Sequence, residues 1–429
     1  MKIRSIMTKK ISAEQIIYGG LVVLIALMPF HAFFTTYLGS LSRMGPVWQA
    51  WKEIVALVIA AVGAFYIFKH PGNRPKLDRV NYLVAAIIVL ALAVSLIRFG
   101  SLTAFIFGIK TDLMPLVIFV VAQVVASRFN DQKVYNLVVW PALIVAILAI
   151  LQSFAITPEM LRTLGYNETT IIPAQYVDSA TMVRRAFSSL GGPNQLGAYL
   201  ILPITLVTGR LVDKFDTKKA MILATLITGL YLTYSRSAWL GAALAILVTV
   251  FLGVKKSWRP KIIIAVVVAL TGSLLFVTSR NFCDPNNIIQ YYLLHGSCSD
   301  NTLKGSDQIR LKSLEGGVAT VVENPLGKGL GAAGPASYYA AKSLITENWY
   351  LQIAIEIGLV GLILFLAFLG FNAISLLREG LSGQNLASIS LFASIVGLAS
   401  TNMFLHSFSD STLAIVLFAI LGIHHGRRA

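Results

Sequence analysis

Charge is what this sequence has least of. Only 13% of its 429 residues are Asp, Glu, Lys or Arg, against 56% hydrophobic residues and a mean hydropathy of +0.75. So little polar side chain cannot cover a water-exposed globule, which excludes a soluble enzyme or binding module. Cysteine is nearly missing, with only Cys283 and Cys298 present. No Cys/His ligand spacing, Walker loop, G-x-S-x-G elbow or tandem repeat occurs either, so the usual signatures of zinc, nucleotide and serine-hydrolase chemistry are absent. No clear A-x-A site follows the first apolar tract, which reads as a signal-anchor that is kept.

What the chain has in abundance is long apolar runs. A hydrocarbon core about 30 Å thick takes about 20 residues of helix, and runs of this kind lie near 14–37, 49–68, 81–98, 112–127, 134–155, 194–212, 219–234, 236–254, 260–278, 348–373, 386–405 and 410–425. The expectation is an all-α polytopic membrane protein of about twelve transmembrane helices, forming one integral membrane domain over 1–429. Of the 35 Lys and Arg, 21 fall in the N-terminal segment and alternate turns, and only five (Arg43, Lys52, Arg98, Lys110 and Arg236) in the short connections and helix ends of the other face. By the positive-inside rule both termini are cytoplasmic. The net charge of +16 is thus an orientation signal scattered over many turns, with no nucleic-acid partner implied.

Two long segments, 156–192 and 279–346, fall on the exterior and carry runs that suit short helices, MLRTLG and LKSLEGGVATVV. Both cysteines lie in the second, where a disulfide would contribute about 3 kcal/mol by loop closure; two free thiols are the alternative. Lys69-His70 and His424-His425 read as solvated inner turns, and His31, beside Pro29, as a structural residue facing the bundle.

The topology gathers polar residues at the exterior face. RRAFSSLGGPNQLG (184–197) brings Arg184 and Arg185 to a helix start at Pro193-Asn194, and SRSAWLG (235–241) leaves Arg236 at the surface. Arg310 and Lys312 lie on a short helix that stops at Asn324-Pro325, runs into the glycine loop GKGLGAAG and is followed by TENWYLQ, with Glu347 and Asn348. Guanidinium groups bind phosphate bidentately, so four arginines at one depth (Arg184, Arg185, Arg236 and Arg310) suit a lipid-linked phosphate or diphosphate. For any one of them the alternative is snorkelling to headgroups, which fits Arg280 best. Arg43 and Lys110 are weaker candidates.

The runs R-x-F-S-x-x-x-x-P-N-x-x-G (185–197), SRSAWLG (235–241), R…ENPLGKGLG (310–331) and ENWYLQIAIEIGLVG (347–361) resemble the O-antigen ligase/polymerase superfamily of bacterial polytopic glycosyltransferases. The resemblance covers about 180–370 and implies a GT-C-type fold in the bacterial cytoplasmic (inner) membrane, with a large exterior loop of short helices. It implies transfer of a glycan from a polyprenyl-diphosphate carrier, a lipid-linked oligosaccharide donor, to the hydroxyl of a glycan or glycolipid acceptor on the outer face, with inversion. A diphosphate leaves without a general acid, and arginines can stabilise its charge in place of a metal, so no cofactor is expected. Where familiar members carry a histidine, this chain has Glu347, which either takes the acceptor proton or caps the following helix. His295 and the His406/Asp410 pair are reserve bases. Asn194 and Asn348 read as hydrogen-bonding supports, Gln352 as a neighbour one turn below Asn348, and Trp349 or Tyr350 as interfacial belt residues, with stacking on a sugar the alternative. The glycine loop would let the outer segment approach substrate. A transporter or flippase of lipid-linked glycans is the alternative; it would place ionisable residues at mid-membrane and show similar halves.

Overall fold

The computed structural model describes residues 11–42, 44–177, 183–264 and 306–428. The tract 260–278 falls mostly outside them, and Arg43, Arg280, Cys283, His295 and Cys298 fall wholly outside. The helices are α1 (Ala13–Leu41), α2 (Gly45–Lys69), α3 (Arg79–Ile97), α4 (Leu102–Val124), α5 (Asp131–Phe154), α6 (Pro193–Asp213), α7 (Thr217–Tyr231), α8 (Arg236–Gly253), α9 (Ser306–Glu323), α10 (Trp349–Gly383), α11 (Leu386–Thr401) and α12 (Ser411–Arg428). Eight of them, α1 to α6, α8 and α10, are long and apolar enough to cross a membrane, so the architecture is all-α and polytopic. These eight are counted among the described residues, and the twelve spans expected are not all seen there. The tracts at α7 and α11 form helices of 15 and 16 residues, roughly 22–24 Å at about 1.5 Å per residue, and α12 ends in a basic turn.

Polar residues set the helix starts. The side chains of Asp78, Asn130, Asp216, Asn348 and Asn385 each accept a backbone N–H from the first turn of α3, α5, α7, α10 and α11. Pro193 opens α6, where a missing N–H costs nothing. Helix α6 is the central element and packs on α5, α7, α8, α11 and α12. Helices α8 and α11 approach closely because Gly241 and Gly397 face each other; a Cβ on Gly397 would lie 2.7 Å from the Ala245 Cβ.

Two ion pairs and two histidine–carboxylate contacts tie the starts of α1, α3 and α5 to the ends of α4, α10 and α12. Glu14 pairs with Arg128, Asp78 with His425 at 2.8 Å, Asp131 with Arg427, and Glu379 with His424 at 3.1 Å. These helix ends therefore share one end of the bundle. His424 and His425 are not the solvated residues expected, because their helix carries them back against these carboxylates, and His424 is buried.

At the other end, the mouth, segment 155–192 forms a short helix, Pro158–Thr163, and a two-residue antiparallel ladder in which Gln175 pairs with Arg185 and Tyr176 with Arg184. It then tucks into the bundle. Phe187 and Ser188 donate backbone N–H groups to Gln152 Oε1 (2.9 and 2.7 Å), while the Ser188 and Ser189 hydroxyls donate to the carbonyls of Val145 and Pro29.

Helix α10 is broken at Gly358, whose φ is +77°. The loop after α9 fills the break: Lys328 N–H donates to Ile355 O (2.8 Å), Gly329 N–H to Glu356 O (2.9 Å), and Leu359 N–H to Pro325 O (3.0 Å). Gly327, Gly329, Gly331 and Gly334 of this loop all have positive φ. A Cβ on Gly327 would lie 2.7 Å from Glu356 O, and one on Gly331 would overlap the Ala104 carbonyl. The glycines thus press the loop against α10 and α4, where the sequence assigned them to substrate approach.

Gly331→Val adds a side chain at positive φ against backbone, and is expected to cost about 2–4 kcal/mol. Thermal unfolding in detergent should show a clearly lowered midpoint, whereas Gly316→Ala, whose Cβ meets nothing within 4 Å, should leave it unchanged or raised; equal midpoints would contradict the docked loop.

Candidate active site

The mouth is built from four connections, the start of α6 and helix α9. Arg185 is held by Thr233 O, to which its Nε donates at 2.9 Å, and by Asn194 Oδ1, to which its NH2 donates at 2.9 Å. These bonds join the ladder, the α7–α8 connection and the first turn of α6, which gives Asn194 the supporting role expected. Burial, and then the positive charges of Arg310 and Arg236, pull Arg185 down from its ordinary value to about 10. Three guanidinium groups from separate segments therefore share one electrostatic neighbourhood. Arg184 is not among them: successive strand residues face opposite sides, and its NH1 donates to Ile156 O at 2.9 Å.

Arg310, on the first part of α9, meets Glu347 through Nε and Oε2 at 2.7 Å. Both side chains are about one third exposed (31% and 32%), so the pair contributes at most about 1 kcal/mol to stability. Lys312 is exposed, and two residues along a helix it falls on a different face from Arg310.

Glu347 has a left-handed backbone, φ +45°, a conformation that costs a side-chain-bearing residue about 1–2 kcal/mol. Ser188 (φ +53°) and Tyr234 (φ +51°), in the segments that carry Arg185 and Arg236, share it. Strain of this kind is kept where the surroundings over-determine the geometry. The cap of α10 is Asn348, whose Oδ1 accepts from Leu351 N–H at 3.0 Å and whose Nδ2 donates to Met403 O at 3.0 Å. Glu347 is thus released from the capping role and turned toward Arg310.

The α11–α12 connection closes the mouth. Trp349 N–H lies 3.1 Å from both Asn402 O and Leu405 O, which brings His406 into the field of Glu347. Burial lowers the His406 imidazole from its ordinary value and the Glu347 charge opposes that; its Nδ1 is buried without a hydrogen bond. Asp410 instead caps α12, accepting from Thr412 and Leu413 N–H at 3.0 and 3.2 Å. Trp349 and Tyr350 are not belt residues. Trp349 is 2% exposed and packs edge-on against Phe365 and Phe408, while the Tyr350 hydroxyl donates to Ala399 O. His31 is structural, accepting from Trp51 Nε1 at 3.0 Å, and Lys110 pairs with Glu53 at 2.6 Å.

Sequence reasoning missed a pair of buried acids. Asp112, on the π-turn Ile109–Leu113 of α4, and Glu356, on α10, are both buried and lie within each other's electrostatic reach. Glu356 Oε1 accepts from Gly331 N–H at 3.0 Å, and Ser409 Oγ donates to Asp112 Oδ1 at 3.3 Å. Gln352, whose N–H bonds Asn348 O one turn above as expected, extends Nε2 toward Asp112 Oδ1 at 3.5 Å. The acids thus fasten the glycine loop and the α11–α12 connection beneath the mouth. The signal was two carboxylates within apolar tracts.

Because Asn348 is the cap, Asn348→Ala should cost about 1 kcal/mol and lower the unfolding midpoint, whereas Glu347→Gln should leave it within about 0.5 kcal/mol; the reverse order would return the cap to Glu347. His406 is lowered by folding, so its contribution to stability is complete above the ordinary value near pH 6.5 and lost as the pH falls through the depressed one. Midpoints of His406→Gln measured from pH 7.5 to pH 5 should fall less than those of the unaltered protein, and parallel curves would refute this.

No curated protein matches the chain. Residues 221–366 match the family model described as O-antigen ligase, an interval that holds Arg236, Arg310, the glycine loop, Glu347 and the break at Gly358. Over that interval, about a third of the chain, the protein is similar to the O-antigen ligase family.

Proposed function

We propose that the protein is an inverting, metal-independent glycosyltransferase that moves a glycan from a polyprenyl-diphosphate carrier to an acceptor hydroxyl on the outer face of the bacterial cytoplasmic membrane. In this reading the mouth faces the exterior, both termini are cytoplasmic, the fold is of GT-C type, and segments 156–192 and 279–346 are the exterior loops. The observation that carries it is that Arg185 lies in the field of Arg236 and Arg310, while Arg310 itself pairs with one carboxylate, Glu347. Burial first, and then its cationic neighbours, disfavour the charge on Arg185, and a dianion set among these cations would relieve the second of these. A diphosphate competes for Arg310 with more charge than one carboxylate. Glu347 then faces the acceptor oxygen, accepts its proton as that oxygen attacks the anomeric carbon, and the C–O bond to the diphosphate breaks with its electron pair on the leaving group. Arg185, fixed by two hydrogen bonds, and Arg236 stabilise that charge without reorganising. Asn194 and Asn348 hold the frame, Lys312 adds positive charge at the rim, and Arg184 acts by anchoring its strand to Ile156. His406, neutral and unbonded at Nδ1, is the nearest reserve base.

A flippase of the same lipid would move it across a bilayer with no glycosidic bond changed. The buried acids Asp112 and Glu356 are the feature closest to a transporter's, yet Glu356 is engaged by loop amides, which suits a pin.

The test is transfer in detergent from a polyprenyl-diphosphate oligosaccharide to a candidate lipid or glycan acceptor. Glu347→Gln should lower the rate about 10²–10⁴-fold, and Arg310→Ala should abolish release of lipid diphosphate. A Glu347→Gln enzyme of full activity would move the base elsewhere, with His406→Gln the next variant, and bilayer movement of intact donor without transfer would favour the flippase.

A further inference from the structure

A second concavity opens at the mouth end, apart from the arginine cluster. It lies between the end of α3, the start of α4 and the glycine loop, measures about 350 Å³, and has an apolar floor of Phe99, Phe105 and Leu330. Three cations stand around it: Arg98 from the α3–α4 connection, Lys328 from the glycine loop and Lys342 from the segment beyond. All three are exposed, and among the described residues no acidic side chain pairs with any of them. This is unusual for a chain that keeps so few cations at this face. Arg98 is one of only five lysines and arginines in its short connections and helix ends. One cation at a helix end reaches for headgroups by itself; three from separate segments lining one apolar-floored pocket make a shaped site. The adjoining surface is apolar and exposed, with Leu96, Ile97, Leu102 and Ile106 uncovered, as at a wall facing lipid.

The frame of the pocket is fixed. Leu330 N–H donates to Ser95 Oγ at 2.8 Å, Ser101 Oγ donates to Tyr339 O at 2.9 Å, and Gly331 N–H is held by Glu356. The same loop therefore forms one wall of this pocket and the filling of the broken helix below Glu347.

We propose that this pocket binds the phosphate of a membrane lipid, with Arg98, Lys328 and Lys342 around the phosphate oxygens and the first carbons of the tail on Phe99, Phe105 and Leu330. Charge complementarity selects a phosphate, and the apolar floor selects one carried on a hydrocarbon chain. The phosphate has two sources, an anionic phospholipid or a polyprenyl phosphate. The site is distinct from the arginine cluster and does not depend on the transfer reaction assigned to it.

The experiment is a lipid titration of the full-length protein in neutral detergent, read by native mass spectrometry, with dioleoylphosphatidylglycerol, decaprenyl monophosphate and, as the phosphate-free control, dioleoylglycerol. The proteins compared are the unaltered chain, a triple variant (Arg98→Gln, Lys328→Gln, Lys342→Gln) and Arg310→Gln. All three substituted side chains are exposed, and an unchanged unfolding midpoint confirms folding. The expected result is binding of one or both phosphate lipids that weakens at least tenfold in the triple variant, persists in Arg310→Gln and is absent for dioleoylglycerol. Binding of phosphatidylglycerol alone would name a phospholipid as occupant, and preference for decaprenyl monophosphate would name a carrier lipid. Equal affinity in the unaltered chain and the triple variant overturns the proposal. If affinity falls only in Arg310→Gln, the phosphate sits in the arginine cluster, and the pocket proposal fails while the assigned function stands.

Discussion

A helix broken inside a bilayer must find new partners for the backbone groups that the break frees, because hydrocarbon supplies none. At Gly358 those groups are the carbonyls of Ile355 and Glu356 and the N–H of Leu359, and the loop after α9 satisfies all three. Most of the mouth depends on that exchange. The loop fits only because its glycines take positive φ and let backbone meet backbone. Glu356 then holds Gly331 from below, near the buried Asp112, which is itself tied to Ser409 of the α11–α12 connection. A single buried junction thus registers α4, α10, the loop and the turn that carries His406.

Function at the mouth follows from that registration. With α10 started by Asn348 and pinned at Gly358, Glu347 is left on a strained backbone whose side chain can only face α9, and there it meets Arg310. From the other side, Phe187 and Ser188 anchor on Gln152, which sets the ladder so that Arg185 reaches Thr233 and Asn194. Rigid supports on both sides of a charged cleft are what a reaction with a developing diphosphate charge requires, since donors already in place cost nothing to reorient.

Much of this was legible in the sequence. Apolar tracts of the right length gave the helices, Pro193 the start of α6, and Asn324-Pro325 the end of α9, because each is a local consequence of backbone chemistry. Arg185, Arg310 and Glu347 stood out as charges gathered at the exterior face. Other features are products of tertiary contact. Gly358 lies in a run that reads as unbroken helix, and only the docked loop makes the break stable. Asp112 and Glu356 are far apart in the chain and meaningful only as a pair. Arg184 and Arg185 looked equivalent until a two-residue ladder sent them to opposite sides. Trp349 had the right position for an interfacial belt, but the α11–α12 connection covers it.

The central claim is that Arg310 exchanges Glu347 for the donor diphosphate. The most direct measurement is the affinity of decaprenyl diphosphate, which carries no glycan to transfer, for the unaltered protein, Arg310→Gln and Glu347→Gln. The account predicts binding at least tenfold weaker in Arg310→Gln, and equal or tighter in Glu347→Gln, where the carboxylate no longer competes. Unchanged affinity in Arg310→Gln, or lost binding in Glu347→Gln, would contradict it.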